Sequence, residues 1–187
     1  MVRTTAAAGA ALVPLAELER FRLAGETRLL CLRALEAARE AGCPTLTTSF
    51  LLFALVNSGA EPTGGPLCRS LRQRLLAADA DAYQGVKAAY CGWFRGACGR
   101  GRAVASEPCM TPYIPAVLAL AEGFAGAAAV EPQHLLAALL EYTPGPGAVQ
   151  PGIQYILSMI RPGLDPVRRE FASHGAAPAV AAESGRA

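Results

Sequence analysis

The strongest constraint in this chain is a unit that occurs twice. Residues 45–56 read TLTTSFLLFALV and follow a helical pattern closed by Gly42, while residues 130–140 read VEPQHLLAALL and follow another, closed by Gly126. Setting Gly42 on Gly126 gives an offset of 84 residues, which places Thr27 on Thr111, Leu30 on Ile114, Ala34 on Leu118, Ala37 on Ala121 and Ala41 on Ala125. Past the glycines, Leu51, Leu52, Ala54 and Leu55 fall on Leu135, Leu136, Ala138 and Leu139. A chain that repeats helix, glycine and short helix reads as two copies of one supersecondary unit. The expected fold is therefore all-α, two pseudo-symmetric repeats packed into one domain.

The helical periodicity supports this. Leu23, Leu30, Ala34, Ala38 and Ala41 lie on one side of the first pattern with Leu35 at its margin, and Arg28, Arg33, Glu36, Arg39 and Glu40 point elsewhere. Gly42 suits a helix C-terminus and Pro44 prevents continuation. Thr47 or Thr48 then caps a second helix over residues 49–57, apolar along Leu51, Leu52 and Leu55. In the second copy Thr111 reads as N-cap with Pro112 at the first helical position, and the core face runs through Ile114, Val117, Leu118, Ala121 and Phe124. Pro132 again suits a first helical position, with a short helix over residues 133–142 behind it.

The remaining organisation follows from glycine and proline. Residues 1–14 read as a loose arm, 15–98 as the first repeat, 99–108 as a polar, glycine-rich and basic linker, 109–174 as the second repeat and 175–187 as a frayed tail. Further helices are expected over residues 67–78, 81–95, 153–160 and 167–172. The apolar fraction of 52%, against 17% charged, excludes disorder for most of the chain. Much of it is alanine, which suits closely packed helices. A net charge of +2 without a basic stripe argues against nucleic acid.

Six cysteines occur without CxxC spacing and no signal peptide is visible, so they read as mostly reduced and buried, with Cys91 and Cys98 the most exposed. No apolar run approaches the length of a membrane span. Arg69, Arg72 and Arg74 read as a solvated helix face.

Catalytic patterns are sparse. The single lysine, Lys87, precedes Ala88, so no phosphate-binding loop of the Walker type is encoded. A hydrolytic triad needs a histidine beside a nucleophile, and only His134 and His174 exist, each better explained by packing at a helix start or by the tail. Cysteine and histidine spacing matches no metal finger or ribbon. The expectation is no catalytic residue, no cofactor and no metal.

The order of these pieces resembles the Clp amino-terminal domain, the double repeat that precedes the ATPase modules of ClpA-, ClpB- and ClpC-type unfoldases. The resemblance rests on Ala41-Gly42, Thr47-Thr48-Ser49-Phe50-Leu51-Leu52, Met110-Thr111-Pro112, Gly126, Gln133-His134-Leu135-Leu136 and the closing Leu164-Asp165-Pro166-Val167-Arg168. It covers about residues 15–174. Where the family carries a glutamate after its threonine, this chain has Ser49 and Gln133, and the family's histidine survives only as His134, with Phe50 in the other copy. In ClpC-like members those glutamates hold the guanidinium of phosphoarginine through a charge-assisted fork, which neither Ser49 nor Gln133 provides.

The 187 residues hold no ATPase module, so the expectation is a stand-alone copy, similar to plastid ClpT proteins, which bind the protease core, and free-standing proteins of actinobacteria. It implies a non-catalytic adaptor or accessory of a Clp unfoldase–protease system, in the bacterial cytoplasm or the plastid stroma, binding a Clp ATPase, a ClpP-type core or substrate segments. Neither a membrane nor nucleic acid is an expected partner. Thr48, Ser49, Phe50, Gln133 and His134 are the expected contact residues; the plainer alternative is that they only cap and pack. A second functional reading is a protein that sequesters a peptide or small ligand and so protects the cell's unfoldase.

Overall fold

A computed structural model of the chain describes residues 12–41, 45–58, 68–70, 72–73, 88, 107–143 and 169. We number the helices with given bounds as α1 (Gly25–Glu40), α2 (Thr48–Ser58), α3 (Tyr113–Ala125) and α4 (Pro132–Glu141), preceded by a 3-10 helix over Leu15–Arg20. The described residues are mostly helical, but the fold is not purely α. Three short strands, β1 (Val13–Pro14), β2 (Thr45–Leu46) and β3 (Cys109–Met110), form a sheet in the order β1-β3-β2. β1 runs antiparallel to β3 with Val13 opposite Met110, and β2 runs parallel to β3 with Leu46 opposite Met110. Strands of two residues carry no alternation, which is why the apolar pattern shows only helices.

Two expectations change at the sheet. The arm expected over residues 1–14 is paired at its end, because Val13–Pro14 is β1. The last residue of the expected linker is likewise fixed: Leu15 N–H donates to the Pro108 carbonyl at 3.1 Å.

α1 begins without a side-chain cap; Glu26 in its first turn and Arg39 in its last complement the helix dipole. Its buried stripe is Thr27, Leu30, Cys31, Ala34, Leu35 and Ala38, at the three- and four-residue spacing of one helix face. α2 differs. Only Ala54 and Asn57 escape full burial, and the helix carries no charge. A helix apolar on all sides belongs in the middle of a core. It packs against α1 and α4, and α3 packs against α4. Phe50 and Phe53 meet edge-on inside it, ring centres 6.0 Å apart. One continuous cluster takes in Leu30, Leu52, Leu55, Met110, Ile114, Leu118 and Leu136.

Proline and glycine set the boundaries of the second pair. Pro112 is the residue before the first turn of α3, and the Thr111 hydroxyl makes no hydrogen bond, so Thr111 does not cap as its position suggested. Pro115 falls in the first turn, where its missing N–H has no intrahelical partner to lose. Gly126 closes α3 with φ 61° and ψ −120°, a conformation that a side chain disfavours, and its N–H donates to the Glu122 carbonyl at 2.9 Å. Pro132 opens α4 as expected. Gly42, Pro44, the loops around residues 59–66 and 144–147, and the bounds of the helices expected over 67–78, 81–95, 153–160 and 167–172 lie outside the described residues.

Connections between the two helix pairs run through their lead-in segments. Leu23, just ahead of α1, forms a parallel bridge to Val130, just ahead of α4. β3, just ahead of α3, pairs in parallel with β2, just ahead of α2. Ala24 N–H donates to the Val130 carbonyl and Thr111 N–H to the Leu46 carbonyl, both at 3.0 Å. Thr27 and Thr111 do not occupy matching places. Thr27 lies inside α1 and its hydroxyl donates to the Val130 carbonyl at 2.6 Å, whereas Thr111 precedes α3.

Candidate functional site

The expected contact residues fall at two helix starts with opposite surroundings. Thr48, Ser49 and Phe50 open α2. Thr47 precedes them and its hydroxyl accepts from Phe50 N–H at 3.4 Å, a long cap. Thr48 is 2% exposed, Ser49 0% and Phe50 1%, so none forms an exposed rim. Their position after the uncharged β2 and ahead of an all-apolar helix draws them inward. Ser49 Oγ is buried without a hydrogen-bond partner, and so is Thr111 Oγ1, whose residue is tied to Leu46 by its N–H.

Gln133 and His134 stand differently. They open α4, are half-buried, and follow an exposed glutamate, Glu131. Glu131 and His134 form a capping box. Glu131 N–H donates to His134 Nδ1 at 3.1 Å, so that nitrogen carries no proton there. Gln133 Nε2 donates to the Glu131 carboxylate at 2.6 Å. The result is a polar cluster of a carboxylate, an amide and an imidazole at the surface. It can donate and accept hydrogen bonds to a peptide, and the orientation of each group is set by its neighbours. No hydroxyl or thiol side chain belongs to it.

One participant escaped the sequence reading. Arg22 spans from the segment before α1 to the end of α3: its guanidinium donates to the Gly126 carbonyl at 2.7 Å and the Ala127 carbonyl at 2.9 Å. Its Nε lies 3.6 Å from Glu122, whose carboxylate also accepts from Arg22 N–H at 2.8 Å. A cation at the carbonyl end of a helix is favourable, which explains the placement. No periodicity could announce this contact, because Arg22 and Glu122 are 100 residues apart.

The described thiols do not enlarge the site. Cys31, Cys68 and Cys109 are free and buried. Burial pushes Cys31 up to about 12 and Cys68 up to about 11, far from the thiolate needed for nucleophilic work. Cys109 Sγ sits 3.4 Å from the Thr45 hydroxyl across β2 and β3. Among the described residues no group of three or more histidines, cysteines or acids is placed to hold a metal ion, and no helix is long and apolar enough to cross a membrane. Cys43, Cys91, Cys98 and His174 lie outside the described residues, as does Arg74.

The described residues are mostly helical with a small sheet, and the start of α4 carries a polar cluster at the surface. No family model matches the chain, and neither a curated protein nor a solved structure matches it.

Proposed function

We propose that this chain is a non-catalytic binding module of the Clp amino-terminal type, built from two copies of one helix pair, and that it serves as an adaptor or accessory of a Clp unfoldase–protease system. The observation that carries the reading is the reciprocal exchange at the lead-ins. Each pair's first helix is tied, through the segment before it, to the carbonyl just ahead of the other pair's second helix: Ala24 to Val130, and Thr111 to Leu46. Leu46 and Val130 each stand four residues past the glycines of the repeat. Two copies related by a two-fold operation would exchange contacts in this way.

The correspondence also sharpens. Ala24 answers to Thr111, so the copies are offset by 87 residues at the start of their first helices and by 84 after the glycines. The difference is the extra length of α1, 16 residues against 13 in α3. In the longer offset Thr27, Leu30, Cys31 and Ala34 match Ile114, Val117, Leu118 and Ala121, and all eight are buried.

Binding is assigned to the open start of α4, with Gln133 and His134 as contact groups and Glu131 orienting both. The corresponding residues of α2 serve packing. The test is affinity purification of the tagged full chain from its native host, with the wild type and the double variant Gln133→Ala, His134→Ala. Recovery of a Clp ATPase or protease-core subunit by the wild type, and its loss in a double variant that remains folded by circular dichroism, supports the reading. No Clp subunit, or equal recovery, overturns it.

A second reading is favoured by one observation, the two buried hydroxyls without partners on Ser49 and Thr111. Buried polar atoms are normally satisfied, and a small polar ligand held within the fold would supply the missing partners. This is the sequestering protein. Native mass spectrometry of the chain from its host separates the two, since a retained small molecule belongs only to this reading.

A further inference from the structure

We propose that the Glu131–His134 box is a pH-sensitive latch on the junction between the two helix pairs. A capping box usually places glutamate or glutamine at the third helical position, whose oxygens accept the N-cap amide across the neutral range. Here that position is His134, and its Nδ1 accepts Glu131 N–H at 3.1 Å. A closed latch therefore requires a neutral ring with its proton on Nε2.

The residue it holds matters. Glu131 is the direct neighbour of Val130, where the pairs are tied. Val130 N–H donates to the Arg22 carbonyl at 2.7 Å, and the Val130 carbonyl accepts from Ala24 N–H at 3.0 Å and from the Thr27 hydroxyl at 2.6 Å. At the corresponding place in α2 the third position is Phe50, which cannot titrate, and Thr47 supplies the cap instead. Among the described residues, the cap at α2 holds no histidine and the cap at α4 does.

When His134 takes a proton on Nδ1, acceptor becomes donor and faces the Glu131 N–H. The box must open. The Glu131 carboxylate, on the residue the box holds, already accepts from Gln133. Of the elements packed against α4, α2 carries no ionisable group and α3 carries Tyr113 and Glu122, the latter engaged by Arg22. On α1, Glu26 acts on Cys68 and Arg28 pairs with Glu19, while Cys31 is buried and Arg33, Glu36, Arg39 and Glu40 stand further along the helix.

The experiment is amide hydrogen exchange by NMR on the full chain and on His134→Gln, at about pH 7.5 and about pH 5.5, either side of the ordinary histidine range. Protection is taken relative to the intrinsic rate at each pH. In the wild type, Glu131 N–H should lose about fivefold in protection at the lower pH, the size expected for a lost cap. His134→Gln, which keeps an acceptor without titrating, should lose none. Retention of protection by the wild type overturns the proposal, and so does an equal loss in both. If His134→Gln does not fold, the wild-type nitrogen shifts of His134 decide. An acceptor-type Nδ1 that becomes protonated as Glu131 protection falls supports the latch, and an Nδ1 already protonated at about pH 7.5 rules it out.

Discussion

The start of α2 and the start of α4 hold corresponding places, yet one is sealed and the other open. Thr47, Thr48, Ser49 and Phe50 are neutral and buried; Glu131, Gln133 and His134 are polar and reach solvent. Their backbone roles are alike, with one residue capping and a leucine-rich helix following. Side chains alone make the difference. The start of α2 is thus built into the core, while the start of α4 keeps its charge at the surface.

The sharpest way to break the comparison is to put the same charge at both places. Ser49→Glu buries a carboxylate where the native residue is wholly enclosed, and should destabilise by about 4 kcal/mol or more, beyond any gain of about 0.3–1 kcal/mol from the helix dipole. Gln133→Glu should change stability by no more than about 0.5 kcal/mol. Urea unfolding of both variants measures this, and equal losses would show that the two starts are equally enclosed. It follows that a carboxylate is tolerated at the start of α4 and not at the start of α2. Calorimetry with free phosphoarginine should show no tight binding to the unmodified chain.

Next in size are the core leucines. Leu52 and Leu136 are both 0% exposed, and Leu→Ala at either should cost about 2–5 kcal/mol. Here the two pairs should behave alike, and a loss confined to one would separate them. Gly126→Ala should cost about 1–3 kcal/mol. Nothing lies within 4 Å of an added Cβ, so the loss is conformational, and it should appear as a lowered thermal midpoint with the core intact.

A further effect is alkaline. The folded chain holds Cys31 and Cys68 protonated, at about 12 and about 11, while an unfolded thiol ionises near 8.5. A group raised on folding stabilises fully below its unfolded range, and that contribution is lost as pH rises toward the folded value. Thermal midpoints should therefore fall from about pH 8 upward, less steeply in Cys31→Ala. Identical slopes would place the alkaline loss elsewhere.

Much of the helical skeleton is legible in the sequence. The α1 and α3 stripes follow from spacing, and Pro132 marks the start of α4. Three things are not. The strands are too short to leave a pattern. The two helix pairs do not align through their first helices at an offset of 84, since α1 is almost a turn longer than α3 and Thr27 and Thr111 match in name only. Burial at Ser49 and Phe50 contradicts the habit of caps facing water. A hint was present, because residues 45–56 contain no charge, and a helix without a polar face has no side to turn outward. Glu131 was also readable as an N-cap partner, standing directly before Pro132 and three residues ahead of a ring nitrogen.

The interlocked pairs make one cooperative unit or they do not, and native-state hydrogen exchange at neutral pH decides. The amides of Ala24, Thr111 and Val130 each cross from one pair to the other. All three should exchange only through global unfolding, with the same opening free energy and the same denaturant slope as the core amides of α2. If Ala24 and Val130 exchange through an opening that leaves Thr111 protected, or the reverse, the pairs are not tied as one unit and the reciprocal exchange is not what holds them together.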